Sequence, residues 1–119
     1  MPANTAEAPA TGLKLRIRTT EGVTVVECHG RLTAEIAATF KEEVRGLLPQ
    51  AKRVVLELGK VTYMDSSGLG AVVGLYVSAK KSGCELQLNN LTKRIRELLG
   101  MTKLLSVFET CGQYPIRMP

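Results

Sequence analysis

The chain has 119 residues, 45% of them apolar and 23% charged, a composition that fits one globular domain and excludes a disordered chain. Aromatics are only 4% and Trp is absent, so the core must be built from Val, Leu, Ile and Ala. The net charge is +5, but the basic residues are dispersed (Lys14, Arg16 and Arg18; Lys80 and Lys81; Lys93, Arg94 and Arg96), which argues against direct nucleic-acid binding.

Residues 1–12, rich in Ala, Pro and Thr, read as a flexible tail without the basic-then-apolar build of a signal peptide. Leu13–Thr19 alternates apolar with basic or polar residues, the period of a half-buried strand, and its basic outer row suits a sheet edge. Thr20, Glu21 and Gly22 supply a tight turn into a second strand, Val23–His29. After the Gly30-Arg31-Leu32 turn, Thr33 is a candidate N-cap. Ile36, Phe40, Val44, Leu47 and Leu48 recur at helical spacing until Pro49. Arg53–Leu58 is a β-branched run of the kind found in central strands. A helix is predicted from about Ser66 to Lys81 with Gly83 as its stop, then a strand at Cys84–Leu88 and a helix at Thr92–Leu99. Leu105–Glu109 reads as a closing element, a last short strand or a helix. The pattern predicts an α/β fold, a mixed sheet with an N-terminal hairpin followed by parallel strands, covered by about four helices. The domain is expected over 13–112, with a C-terminal tail at 113–119.

No apolar stretch reaches membrane-spanning length, so cytoplasmic residence and no membrane association are expected. Cys28, Cys84 and Cys111 are odd in number and widely spaced, and His29 is alone. These features favour free thiols and no metal site. Nothing in the sequence implies an organic cofactor.

Chemistry concentrates in Val61–Gly70, VTYMDSSGLG, between a central strand and the next helix. Asp65 and Ser66 stand at the helix entrance, where a carboxylate or hydroxyl accepts from backbone N–H groups without intrahelical partners. Capping alone would account for Asp-Ser-Ser-Gly. The helix that follows adds a second feature. Leu69, Val72, Val73, Tyr76 and Val77 make an apolar stripe, and Gly70, Ala71, Gly74 and Ser78 an adjoining stripe with almost no bulk. Solvated helix faces usually carry Glu, Lys or Gln, and each Gly costs about 0.5–1 kcal/mol relative to Ala. A smooth strip therefore points to a closely approaching surface, on another protein or within this one.

Asp65-Ser66-Ser67-Gly68-Leu69-Gly70, preceded by Tyr63-Met64 and an apolar strand, resembles the signature of anti-sigma factor antagonists of the STAS-domain family. The resemblance runs roughly from Leu13 to Thr110. It implies a partner switch: the unphosphorylated protein binds an anti-sigma factor that is a serine kinase and so frees a sigma factor. The kinase phosphorylates Ser66 (Ser67 is the second candidate), the complex breaks, and a PP2C-type phosphatase resets it. The implied partner surface comprises Asp65, Ser66, Ser67, Gly68, Leu69, Gly70, Ala71 and Gly74, with Arg31 and Thr33 from the neighbouring loop. There this chain reads Arg31-Leu32-Thr33 where family members often carry Glu-Leu-Asp, which removes two acidic groups and adds a base. The protein is expected to be a monomer.

An enzyme is not expected. Ser66 with Asp65 lacks a general base, no local base serves any Cys, and no phosphate-binding glycine loop occurs. The competing assignments are binding modules on the same fold, either in another signalling assembly or in a transporter complex. Retention of the Asp-Ser pair favours the phospho-switch over the transporter role.

Overall fold

A computed structural model describes residues 5–8 and 12–101. The elements, in chain order, are β1 (Thr5–Ala8), β2 (Leu13–Thr20), β3 (Val23–Leu32), α1 (Ala34–Arg45), a 3-10 turn (Leu48–Gln50), β4 (Arg53–Met64), α2 (Ser66–Ser82), β5 (Glu85–Asn89) and α3 (Lys93–Met101). The five strands lie side by side in sequence order. β1, β2 and β3 pair antiparallel, whereas β3–β4 and β4–β5 pair parallel through the crossover helices α1 and α2. This is the mixed α/β sheet expected from the sequence, with three α-helices and a 3-10 turn among the described residues rather than about four helices.

Register decides which side chains form the core. Thr24, Val54 and Leu86 align across β3, β4 and β5, as do Val26, Leu56 and Leu88, and all of them are buried beneath the helices. The helices α1 and α2 pack on each other over this face, and α3 packs on α2 and β4. Phe40, Leu48, Leu75, Leu91 and Leu99 fill the layer between. Each such side chain removed from water contributes about 1.5–3 kcal/mol, so an aliphatic core suffices without Trp. On the other sheet face Arg16, Glu27, Glu57 and Asn89 form one polar row, none of them buried. Lys14, Arg16 and Arg18 of the dispersed basic residues belong to this face, where Arg53 also pairs with Glu85 at 2.9 Å.

Several boundaries differ from the expected ones, each for a physical reason. Thr5–Ala8 lies within the expected tail but pairs with Leu13–Arg16, so that part of β2 is not an edge. β3 runs on through Gly30-Arg31-Leu32, which is strand rather than turn. Gly30 lies there at φ +117, and a Cβ on it would stand 2.0 Å from the Gly12 carbonyl oxygen. Glycine in this strand thus marks close backbone approach, not a stop. β4 continues past Leu58 to Met64 because the extended β3 gives Val61, Tyr63 and Met64 partners. α1 ends at Arg45, and Leu47 and Leu48 follow it in the turn that carries Pro49. Glu21 and Gly22 both take positive φ, as a tight two-residue hairpin requires. Leu105–Glu109 and Cys111 lie outside the described residues, as does most of the expected C-terminal part of the domain.

Candidate functional site

Parallel strands β3 and β4 end together, Leu32 opposite Met64, and each feeds a helix. The two helix starts therefore lie side by side, and Asp65 stands between them. Its Oδ1 accepts from Ser67 N (2.9 Å) and Gly68 N (3.1 Å) at the start of α2. Its Oδ2 accepts from Ala34 N (3.2 Å) at the start of α1. One carboxylate thus caps both crossover helices. Thr33 holds the N-cap position of α1, but its side chain makes no cap bond, and Asp65 supplies that bond from across the site. The Gly68 N–H first, with those of Ala34 and Ser67, holds the Asp65 carboxyl below the usual carboxylate range against an opposing desolvation.

Gly68 explains how α2 comes so near β3. A Cβ at this position would stand 2.3 Å from the Leu32 carbonyl oxygen and 3.0 Å from Met64 Cγ. Ser66 and Ser67, by contrast, are exposed, and among the described residues no hydrogen bond commits either hydroxyl.

The low-bulk strip of α2 has two fates. Ala71 is buried, and the Lys41 side chain of α1 crosses Gly74, so part of the strip serves packing between helices. Gly70 is exposed, with nothing near its Cβ position. It lines a shallow groove of about 200 Å³ together with Ala37, Ala38, Lys41, Ser67 and Ala71. The apolar stripe is rotated from the expected one: Leu69, Val72, Leu75, Tyr76 and Ala79 are buried, Val73 is half-buried and Val77 is 47% exposed. The rotation follows from α1, which packs along the flank of α2 that the periodicity left as surface.

The structure thus brings Asp65, Ser66, Ser67, Gly68, Gly70, Ala71 and Thr33 to one end of the molecule, while Leu69 is core. Arg31 is exposed beside them, and with it comes a contact that no motif singled out. Tyr63, 39% exposed, lies under the guanidiniums of Arg31 and Arg94 at 5.0 and 5.7 Å. Only the register of β3 on β4 and the start of α3 create that contact.

The other singled-out residues are structural. His29 lies inside β3 with Nε2 3.1 Å from Glu27 Oε1, and this bond is the chief cause that lowers the Glu27 carboxyl. Cys28 and Cys84 are buried, and desolvation, helped by Glu57 and Glu27, pushes the Cys28 thiol up to about 12. Among the described residues, no cluster of His, Cys, Asp or Glu could hold a metal ion, and no helix is long and apolar enough to cross a membrane.

The family model described as "STAS domain" matches residues 14–115. The anti-sigma-B factor antagonist of Bacillus subtilis (strain 168) is 30% identical over 97 residues, covering 82% of this chain and 89% of that protein. The unphosphorylated form of the anti-sigma factor antagonist SpoIIAA shares the fold, with a TM-score of 0.63 and 16% identity over 82% of this chain and 98% of that one. The phosphorylated form of the Bacillus cell fate determinant SpoIIAA gives a TM-score of 0.65 at 17% identity, over 77% of this chain and 86% of that one. A model that spans most of the sequence and a relative of this similarity make the assignment: the chain belongs to the STAS domain family, among the anti-sigma factor antagonists.

Proposed function

We propose that the protein works as an anti-sigma factor antagonist whose unphosphorylated form binds an anti-sigma factor with serine kinase activity, and that phosphorylation of Ser66 ends the binding. A PP2C-type phosphatase acting on the phosphorylated form restores it. The observation that carries this reading is an exposed Ser66 directly after Asp65, the carboxylate that fastens both helix starts, beside a groove lined by small residues. The Bacillus subtilis relative carries the antagonist name, and the structural neighbours exist in unphosphorylated and phosphorylated forms.

The physics suits a switch. A phosphate adds about −1.5 to −2 charges and three strong acceptor oxygens. At the α2 entrance the helix dipole tolerates it, so the fold survives. Pressed into an interface next to the Asp65 carboxylate, the same charge meets repulsion and desolvation. A differential penalty of about 3 kcal/mol is more than a hundredfold in affinity. Ser66 acts in this reading as the kinase's substrate, and ATP belongs to the kinase.

The test uses wild type, Ser66→Ala and Ser66→Asp as baits in lysate of the source cell, with intact mass measured on the endogenous protein. An ATP-binding kinase retained by wild type and Ser66→Ala but lost by Ser66→Asp, together with one phosphate on Ser66, is the expected result. Identical partners on all three baits and no phosphate would overturn the reading.

A further inference from the structure

The cluster around Tyr63 is built by three elements that are far apart in the chain. Arg31 and Tyr63 are register partners at the ends of β3 and β4, so their side chains leave the sheet on the same side. Arg94 arrives from the first turn of α3. Both guanidiniums lie over one exposed ring, yet no carboxylate among the described residues forms an ion pair with either. Cation–π contacts at exposed sites are worth about 0.5–1 kcal/mol each, which repays little beyond the repulsion of two like charges held so close. The ring does, however, restrain two long side chains that would otherwise lose rotamer freedom on binding. Two oriented forks with unfilled donors suit carboxylates.

Position links the cluster to the switch. Tyr63 and Ser66 are three residues apart, so their Cα atoms lie within roughly 11 Å. An interface patch of ordinary size, about 800 Å² per partner, covers both. We propose that Arg31, Tyr63 and Arg94 form a docking surface for an acidic segment of the protein that binds at the α2 entrance. The proposal rests on the partner-switch reading and adds the chemistry of the partner. Nucleic acid fits less well. Two arginines and the neighbouring Lys93 fall short of the several phosphate contacts that give such binding its affinity, and Asp65 would repel the backbone.

The experiment places a photo-reactive benzoylphenylalanine at the exposed Lys93 position of the full chain, expressed in its own cells, and sequences the linked species by mass spectrometry. The expected adduct is a protein segment with clustered Asp and Glu. Its yield falls about tenfold or more in the Arg31→Glu/Arg94→Glu double variant, is unchanged by Lys81→Glu at the far end of α2, and returns when the partner's carboxylates are changed to Lys. Because Arg31 and Arg94 are exposed, the double variant should melt as wild type does. A linked peptide without carboxylates, a nucleotide adduct, no adduct, or a yield indifferent to the double reversal overturns the proposal. An acidic peptide from a protein that neither binds ATP nor responds to Ser66→Asp would sink the kinase reading and leave this surface standing. A Ser66-sensitive kinase linked through a non-acidic segment would do the reverse.

Discussion

Two glycines two positions apart on α2 should respond in opposite directions to the same methyl group. At Gly68 the added Cβ meets the Leu32 carbonyl oxygen at 2.3 Å, Leu32 Cγ at 2.9 Å and Met64 Cγ at 3.0 Å. The first of these is backbone at the end of a strand, so the helix or the strand must shift. Overpacking of this kind costs about 1–3 kcal/mol, partly offset by about 0.5–1 kcal/mol from replacing Gly with Ala in a helix. A net loss of about 1–2 kcal/mol is expected for Gly68→Ala. At Gly70 nothing lies within 4 Å of the Cβ position, so only the favourable term remains and Gly70→Ala should gain about 0.5–1 kcal/mol. At roughly 4 °C per kcal/mol the two variants should melt about 8 °C apart, on either side of wild type. Urea unfolding gives the same comparison as free energies. Because Gly70 lines the groove, its variant should also hold the partner more weakly despite being more stable. A Gly68→Ala protein as stable as Gly70→Ala would refute the close approach of α2 to β3.

Asp65→Ala removes the bonds to Ala34, Ser67 and Gly68 and should cost about 2 kcal/mol, at the upper end for an N-cap, whereas Asp65→Asn should cost much less. The Asp65 carboxyl is lowered in the folded state, so its stabilisation is complete above about pH 5 and is lost as the pH falls through the lowered value. Melting temperatures between pH 7 and 3 should therefore show a steeper acid loss for wild type than for Asp65→Asn. In a Cys111→Ser background, a thiol reagent at pH 8 should leave Cys28 and Cys84 unmodified until denaturant unfolds the chain. Ser66→Asp should unfold within about 0.5 kcal/mol of wild type, since a negative charge at a helix start is tolerated. A large loss would mean that this substitution acts by unfolding.

Most of the fold was legible because it rests on local signals. Alternation marked β2, a β-branched run the first half of β4, and helical spacing α1 and α2. What local signals do not carry is register. Gly30 looked like a turn and the central strand was expected to end at Leu58, yet β3 and β4 run on because each supplies the other's partners, and the close approach of Gly12 needs a residue without Cβ at position 30. The entrance of α2 was legible from Asp65 and Ser66, but the second helix that Asp65 caps was not, since Ala34 N is 31 positions away. The meeting of Tyr63 with Arg94 was invisible for the same reason. The smooth strip suggested a nearby surface, and only the packing separates Ala71, used within the molecule, from Gly70, left open.

The shared cap has an evolutionary corollary. When one side chain fastens two crossovers, its loss has two consequences that are repaired separately. The start of α1 has a substitute in reach, since Thr33 occupies the N-cap position with its hydroxyl uncommitted there. The start of α2 has none, because position 65 is itself the cap. Second-site suppressors of Asp65→Ala should therefore cluster at position 33, as Asp, Asn or Ser, and rescue no more than the α1 portion of the defect. A lineage that abandons the carboxylate at 65 must keep an amide or hydroxyl in its place, whatever becomes of the serine beside it.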